Sequence, residues 1–315
     1  MGNLAISLAG VTKTFGATVA VDNLDLAVPV GALYGFIGPN GAGKTTTLRM
    51  IMSILFPDRG ELSVLGRPAA IEAKDRIGYL PEERGVYRKM KVGAFLTYIA
   101  SLKGARDFSP ARVVAWLERL NLAGVQDKKC EELSKGMLQK VQLIAAVLHE
   151  PDLLILDEPF SGLDPVNMRL LRDLILAEHR RGATIIFSTH VMVQAEEICD
   201  HIVMLHKGRK VLDEDLASIR RRHDPRALVF EPFERGADAG ALAGLDGVAN
   251  VSRDGGVYRL DLRAGADPVR VMRDVAAAVP PARLEVHRPS LEDIFIGLVT
   301  REKFCSSRSA TPWRP

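Results

Sequence analysis

The eight residues Gly38–Thr45, with the sequence GPNGAGKT, constrain the fold of this chain more than any other feature. They match the P-loop pattern, in which the backbone N–H groups of a glycine-rich turn and the positive end of a helix surround a phosphate group. The apolar run Leu33–Ile37 before the loop predicts a strand, and the residues from about Thr45 to Ile54 predict a helix. A strand, a loop and a helix in this order are what phosphate binding requires.

Lys44 is predicted to reach the β- and γ-phosphate oxygens, and the Thr45 hydroxyl is predicted to bind Mg²⁺. The full set of predicted nucleotide-binding residues in the loop is Gly38, Asn40, Gly41, Ala42, Gly43, Lys44, Thr45 and Thr46.

A second motif is an acidic pair at the end of an apolar run. Leu153–Leu156 predicts a buried strand, and Asp157 and Glu158 follow it directly. Doubly wound sheets bind their ligands at the carboxyl ends of the strands. Asp157 is therefore a predicted Mg²⁺ ligand, and Glu158 is predicted to polarise an attacking water as general base. The alternative interpretation is that the two acids only form a solvated strand end. The presence of the P-loop makes this interpretation the weaker of the two.

The order of the remaining patterns predicts an α/β protein. Apolar strands at 183–188 and 201–205 alternate with helical stretches, which is typical of a buried and mostly parallel sheet. Residues 4–30 alternate apolar and polar residues, and they predict an antiparallel β subdomain with turns at Gly10, Gly16 and Asp22-Asn23. Residues 88–150 are helical in pattern and are expected to form an inserted lobe.

After Arg222 the pattern restarts as a small α+β domain. A strand at 228–230, a hairpin turning at 254–256, a helix over 268–279 and a strand at 284–286 are predicted. Ser290 and Asp293 fit a capping box at the start of a last helix. We therefore expect a nucleotide-binding domain over 1–220, an accessory domain over 221–300, and a basic, disordered tail over 301–315.

Composition excludes several classes of protein. With 47% hydrophobic and 26% charged residues, the chain is not intrinsically disordered. The formal net charge of +3 is carried by the segment 301–315, so no nucleic-acid partner is expected. The spacing of Cys130, Cys199 and Cys305 fits neither a zinc nor a redox motif and predicts free thiols. No signal peptide and no apolar run long enough to span a bilayer occur, which predicts a cytoplasmic chain.

With these motifs in this order, residues 4–220 resemble the ATP-binding subunits of ATP-binding-cassette (ABC) transporters. Leu133–Met137 stands where the family has its signature sequence. The resemblance implies that Ser134 and Gly136 contact the ATP of a second subunit. Lys135 and Met137 stand where the family usually has glycine and glutamine, and an added lysine would complement the phosphate charge.

The resemblance implies roles for three further residues. Asp164 belongs to a stretch similar to the D-loop, which connects the two ATP sites, and His190 is similar to the histidine that holds the γ-phosphate and the general base in line. Phe15 resembles the aromatic residue that stacks on adenine, with a core phenylalanine as the alternative reading.

Glu82 marks the clearest departure from the family, because it follows Pro81 where glutamine is usual. A carboxylate is a stronger Mg²⁺ ligand than an amide, so Glu82 is predicted to bind the metal. The alternative is a solvated loop acid.

Pro289–Phe295, after the small domain, resembles the ATPase subunits of ABC-2-type exporters, with sodium and drug exporters as the nearest likenesses. This implies an ATPase with ATP and Mg²⁺ as cofactors, which pairs with a second copy or a related ATPase subunit. It would power a separate transmembrane permease through the helical lobe and lie at the inner face of the cell membrane. The alternatives are an ABC ATPase acting on ribosomes or DNA, and a regulatory module that binds ATP without hydrolysis; Glu158 argues against the last.

Overall fold

A computed structural model describes residues 3–83, 85–105, 109–222, 227–234, 240–287 and 289–308, with side chains up to residue 300. The chain divides into two units, Met1–Leu216 and Ala217–Pro315.

The first unit contains nine strands among its described residues. They are β1 (Leu4–Phe15), β2 (Thr18–Pro29), β3 (Leu33–Ile37), β4 (Arg59–Val64), β5 (Ile77–Leu80), β6 (Leu153–Asp157), β7 (Thr184–Thr189), β8 (His201–His206) and β9 (Arg209–Asp215). The helices are α1 (Lys44–Ile51), α2 (Val92–Leu102), α3 (Pro110–Arg119), α4 (Lys135–Val147), α5 (Pro165–Arg181) and α6 (Met192–Ile198), with α7 (Leu216–Arg222) beginning at the boundary. Helices α2, α3 and α4 lie within the predicted helical segment 88–150.

A six-stranded sheet in the order β5-β6-β7-β3-β8-β9 forms the centre of this unit. Its strands are parallel except β9, which pairs with β8 in the antiparallel direction. Strands β3, β6 and β7 are buried along their whole length, which explains their continuous apolar sequences. Asp157 is the partner of Ser188 in the β6–β7 pair, and Ile37 is the partner of Thr189 in the β3–β7 pair. The P-loop, the acidic pair and His190 therefore follow three adjacent strands at one edge of the sheet.

A three-stranded antiparallel sheet in the order β2-β1-β4 accompanies this core. The antiparallel strands predicted over 4–30 are confirmed, but two of the three predicted turns are wrong. Only Gly16 lies at the hairpin turn, whereas Gly10 and Asn23 lie inside β1 and β2, where they take positive φ next to shifts in strand register. Both residue types tolerate a bulge as readily as a turn, and the long pairing of β1 with β2 selects the bulge.

The second unit is an antiparallel sheet with helices. Its strands are β10 (Ala227–Pro232), β11 (Val248–Asp254), β12 (Val257–Leu262) and β13 (Pro281–His287), in the order β11-β12-β10-β13, and its helices are α8 (Pro268–Ala278) and α9 (Leu291–Arg308). The side chains of Phe230, Leu260 and Val275 are fully buried in its core.

The capping box predicted before α9 is present in the structure. The Ser290 N–H donates to the Asp293 carboxylate at 2.9 Å, and the Asp293 N–H donates to Ser290 Oγ at 3.1 Å. The helix then continues to Arg308, so the disordered tail expected from residue 301 is wrong for 301–308. Extending a nucleated helix costs far less than starting one, and it needs no apolar stripe. Residues 309–315 and the side chain of Cys305 lie outside the described residues. Among the helices that the structure describes, none combines the length and the apolar character that a membrane-spanning helix needs.

Candidate nucleotide-binding site

The P-loop opens onto a cavity of about 670 Å³ beside the β1–β2 hairpin. Every predicted loop residue from Asn40 to Thr46 lines it, and so do Glu82 and Glu158. The remaining lining residues, which the sequence did not single out, are Thr18, Val19, Ala20 and Lys207. A volume of this size is in the range of small-ligand sites.

The backbone of the loop requires glycine where it approaches the hairpin. Gly43 has φ +103°, and a Cβ added there would lie 2.5 Å from the carbonyl oxygen of Ala20. A side chain at position 43 would therefore force the loop away from the hairpin.

Lys44 is held inside the loop by carbonyl groups. Its Nζ donates to the Gly38 oxygen at 2.8 Å and to the Pro39 oxygen at 3.3 Å, and its side chain is only 6% exposed. Burial lowers the pKa of Lys44, and the negative charges of Glu158 and Asp157 oppose that shift. Phosphate oxygens could replace the two carbonyl partners, since both are weaker acceptors than an anion.

Asp157 carries the clearest sign of a cation site. Thr45 Oγ1 donates to Asp157 Oδ1 at 3.2 Å, and Ser188 Oγ donates to the same oxygen. Oδ2 is buried without a hydrogen-bond partner in the described structure. A buried carboxylate oxygen without a donor fits a metal ion or its water ligand, and a neighbouring threonine hydroxyl adds a second oxygen.

The donor set near Asp157 suits Mg²⁺ that is shared with a ligand. Within the described residues, no cluster of three or more His, Cys, Asp or Glu could hold a metal by itself. Mg²⁺ commonly binds through one or two protein groups, with the phosphates of its substrate and water completing the shell. Glu82 lines both the P-loop cavity and a smaller one of about 40 Å³ that also borders Asp157.

Glu158 lies between a lysine and a histidine. Its Oε1 is 3.0 Å from His190 Nδ1 and 3.8 Å from Lys44 Nζ, while its side chain is 8% exposed. An ionised carboxylate only accepts hydrogen bonds, so Nδ1 is the donor in this pair. The His190 ring is 46% exposed, which leaves it accessible beside the cavity. The three predicted catalytic residues, Lys44, Glu158 and His190, are thus brought together.

Phe15 lies at the end of β1 and is 48% exposed, which rules out the alternative of a core phenylalanine. Its strand partner is Thr18, a residue that lines the cavity, and the ammonium of Lys13 lies 5.6 Å from the ring centre. Phe15 itself is not one of the lining residues.

The signature residues do not line the cavity of their own chain. Ser134 is the N-cap of α4, and its Oγ accepts a hydrogen bond from the Met137 N–H at 3.3 Å. Lys135 opens the helix with ordinary negative φ, so glycine is not required there. A Cβ at Gly136 would meet only Leu163, at 3.7 Å.

Asp164 caps α5. Its Oδ1 accepts hydrogen bonds from the N–H groups of Val166 and Asn167, each at 3.0 Å. These hydrogen bonds, with those of Asn167 the strongest influence, hold the pKa of Asp164 below its usual value.

Two buried polar residues at the site were missed by the sequence reading. Ser188 donates to Asp157 and accepts the N–H of Glu158 at 3.1 Å. Its position two residues before His190, at the end of an apolar strand, was a usable signal. Gln139, on the buried face of α4, donates to the Pro159 oxygen at 2.6 Å, and no sequence pattern pointed to it.

A P-loop, an acidic strand end and a histidine at the carboxyl edge of a parallel sheet define a P-loop nucleotide hydrolase. Comparison with known proteins gives its family. Residues 21–161 match the family described as ABC transporter, and residues 215–299 match the "ATP-binding protein DrrA1-3-like, C-terminal domain".

The chain is 41% identical over 296 residues to the uncharacterised ABC transporter ATP-binding protein YhaQ of Bacillus subtilis, which covers 92% of this chain and 97% of that protein. It is 33% identical over 315 residues to the Nod factor export ATP-binding protein I of Burkholderia orbicola, covering 94% and 97% of the two chains. A solved structure of an ATP-binding subunit of an ABC transporter has a TM-score of 0.64 and 31% identity, over 69% of this chain and 92% of the other.

The chain belongs to the ATP-binding proteins of ABC transporters, and the subunits of this family are ATPases. The family resemblance, its exporter-type C-terminal domain and the α/β fold class predicted from the sequence are confirmed.

Proposed function

We propose that this subunit hydrolyses ATP with Mg²⁺ to power export through a separate transmembrane permease. The contact of Glu158, which lines the P-loop cavity, with His190 and Lys44 is the observation that carries the hydrolytic part of the proposal. The C-terminal domain of the DrrA1-3 type and the similarity to Nod factor export proteins support the direction of transport.

In the proposed reaction, the P-loop N–H groups and Lys44 bind the phosphates, and Phe15 stacks on the adenine ring. Glu158 accepts a proton from the attacking water, while His190 keeps the carboxylate oriented through Nδ1. Asp157, Thr45 and Glu82 would hold Mg²⁺. The metal would neutralise charge on the phosphate oxygens.

We further propose that two copies, or this chain and a related subunit, form two composite sites. Ser134, Lys135, Gly136 and Met137 of one chain would contact the ATP held by the other, with Asp164 near the junction. ATP binding would close the pair, and the helical lobe would transmit closure to the permease at the inner face of the membrane.

Glu158→Gln tests the general base. The substitution keeps the size and removes the negative charge, so ATP binding should be retained while kcat falls 100-fold or more, the scale of general-base catalysis. A dimer should accumulate with ATP in size-exclusion chromatography. Glu150→Gln is the matched control, because Glu150 is an exposed glutamate that also has positive φ. Wild-type turnover in Glu158→Gln would disprove the role of Glu158.

Glu82→Gln tests the metal ligand. Replacing an anionic oxygen by an amide should shift the Mg²⁺ titration of ATPase activity to higher concentration and leave ATP affinity nearly unchanged. Glu83→Gln is the control, since Glu83 is the adjacent acid and is 88% exposed beside Arg49. If the Mg²⁺ titrations of Glu82→Gln and wild type coincide, Glu82 is not a ligand.

A further inference from the structure

The backbone of Glu158 is held in an unfavourable conformation. Its φ is +50°, in the left-handed region that residues with a side chain rarely occupy. Pro159 follows it, and a proline further restricts the residue before it. Such a conformation persists only where neighbouring groups fix it from several sides.

The N-terminal side of this turn is held by β7. The Glu158 N–H lies 3.1 Å from Ser188 Oγ and 3.2 Å from the Ser188 carbonyl oxygen. These contacts fix the peptide that enters Glu158. Within the turn, the Ser161 N–H donates to the Glu158 carbonyl oxygen at 3.2 Å. None of these contacts reaches the Pro159 carbonyl, which therefore needs an anchor of its own.

Gln139 of α4 supplies that anchor. Its Nε2 donates to the Pro159 carbonyl oxygen at 2.6 Å, and its side chain is only 6% exposed. A carbonyl oxygen can only accept, so this contact sets the orientation of the amide. The other end of the amide, Oε1, is buried without a hydrogen-bond partner in the described structure. An apolar side chain of similar volume would avoid this unpaired oxygen, so what Gln139 contributes is its donor group.

We propose that Gln139 is a positioning residue for Glu158. By holding the Pro159 carbonyl, it keeps the Glu158 carboxylate facing Lys44 and His190. The inference rests on the proposed function, in which Glu158 is the general base. Because α4 begins directly after Ser134, the helix that presents the signature residues also holds the base of its own chain.

The test is Gln139→Met in the full chain, since methionine nearly matches glutamine in volume and lacks the donor. We expect kcat to fall about tenfold, equal to about 1.4 kcal/mol of transition-state stabilisation, with the Kd for ATP within twofold of wild type. The matched control is Gln142→Met. Gln142 is as buried as Gln139, belongs to the same helix and lines the same 40 Å³ cavity. The two residues differ in that the amide bound to the Pro159 carbonyl is that of Gln139.

A double-mutant cycle shows whether Gln139 acts through Glu158. Gln139→Met should lower kcat about tenfold in the wild-type background and leave the residual rate of Glu158→Gln unchanged. An equal loss in both backgrounds, or equal kcat for Gln139→Met and Gln142→Met, overturns the proposal. If Glu158→Gln itself turns over normally, the proposed function has failed instead.

Gln139→Glu gives a second, independent test. A protonated glutamic acid can donate to the Pro159 oxygen and an ionised one cannot. The ratio of its kcat to that of wild type should therefore be below one wherever the new carboxyl is ionised, and lowest at the highest pH tested between 6 and 9. A ratio that stays at one over this interval overturns the proposal even if Gln139→Met does not fold.

Discussion

Gly43→Ala is the perturbation that the loop geometry predicts most directly. The new Cβ would lie 2.5 Å from the Ala20 carbonyl oxygen and 3.5 Å from Gly208 Cα, both backbone atoms of neighbouring segments. Gly41→Ala is a matched control, because Gly41 also has positive φ, +77°, yet a Cβ there meets nothing within 4 Å. The two variants add the same methyl group to the same loop.

The two costs can be estimated separately. Positive φ costs a residue with a Cβ about 1 kcal/mol relative to glycine, which both variants incur. Gly43→Ala also forces backbone atoms apart, and overpacking of this kind costs roughly 1–3 kcal/mol more. If the loop moves to relieve the contact, its N–H groups no longer converge on the phosphate, and the cost appears in ATP binding.

Both forms of the cost have to be measured. Urea unfolding without nucleotide gives the change in stability, and calorimetric titration with ATP gives the change in binding free energy. The sum of the two losses should be larger for Gly43→Ala than for Gly41→Ala by at least about 1 kcal/mol. Equal sums for the two variants would refute the steric argument.

Two further predictions concern acid stability and base stacking. Burial lowers the pKa of His149 to about 4 in the folded chain. Below about pH 6.5 the unfolded chain therefore binds a proton at this histidine that the folded chain does not bind. The free energy of unfolding should fall by up to about 3 kcal/mol by pH 4. His149→Gln keeps a donor for the Ile77 oxygen and should flatten the pH dependence of urea stability over this interval; an unchanged slope contradicts the assignment. Phe15→Ala should weaken ATP binding by about 1–3 kcal/mol with little change in stability, whereas the control Phe56→Ala, at a 70% exposed ring, should leave binding unchanged. Equal ATP affinities for these two variants would remove Phe15 from the site.

The sequence was most informative where a function depends on neighbours in the chain. The P-loop and the acidic pair are each continuous stretches, and both follow strands that the apolar runs predict. Which strands lie side by side depends instead on long-range pairing. The insertion of β7 between β6 and β3, which places His190 beside Glu158, has no local signature. The antiparallel edge strand β9 was also missed, although it forms a hairpin with β8 around Lys207 and Gly208, which is a local pairing.

The conformation of the site was also beyond local patterns. A glutamate before a proline favours an extended backbone, whereas Glu158 has positive φ. The turn is held by contacts that include those of Ser188 and Gln139, which are distant in the sequence. The Gln139 side chain comes from a helix whose pattern merely indicates a buried face. Local preference and tertiary structure disagree at this residue, as is typical of functional sites.

The charges around the cavity place a condition on what it can bind. Among the described residues that line it, the ammonium groups of Lys44 and Lys207 face the carboxylates of Glu82 and Glu158, and the pKa of Lys44 also responds to Asp157 nearby. A triphosphate adds several negative charges to a set that is already balanced or acidic, and buried like charges repel strongly. The N–H groups of the loop offset part of this repulsion but carry no net charge. The electrostatics of the cavity therefore favour a nucleotide that arrives with a divalent cation over one that arrives without.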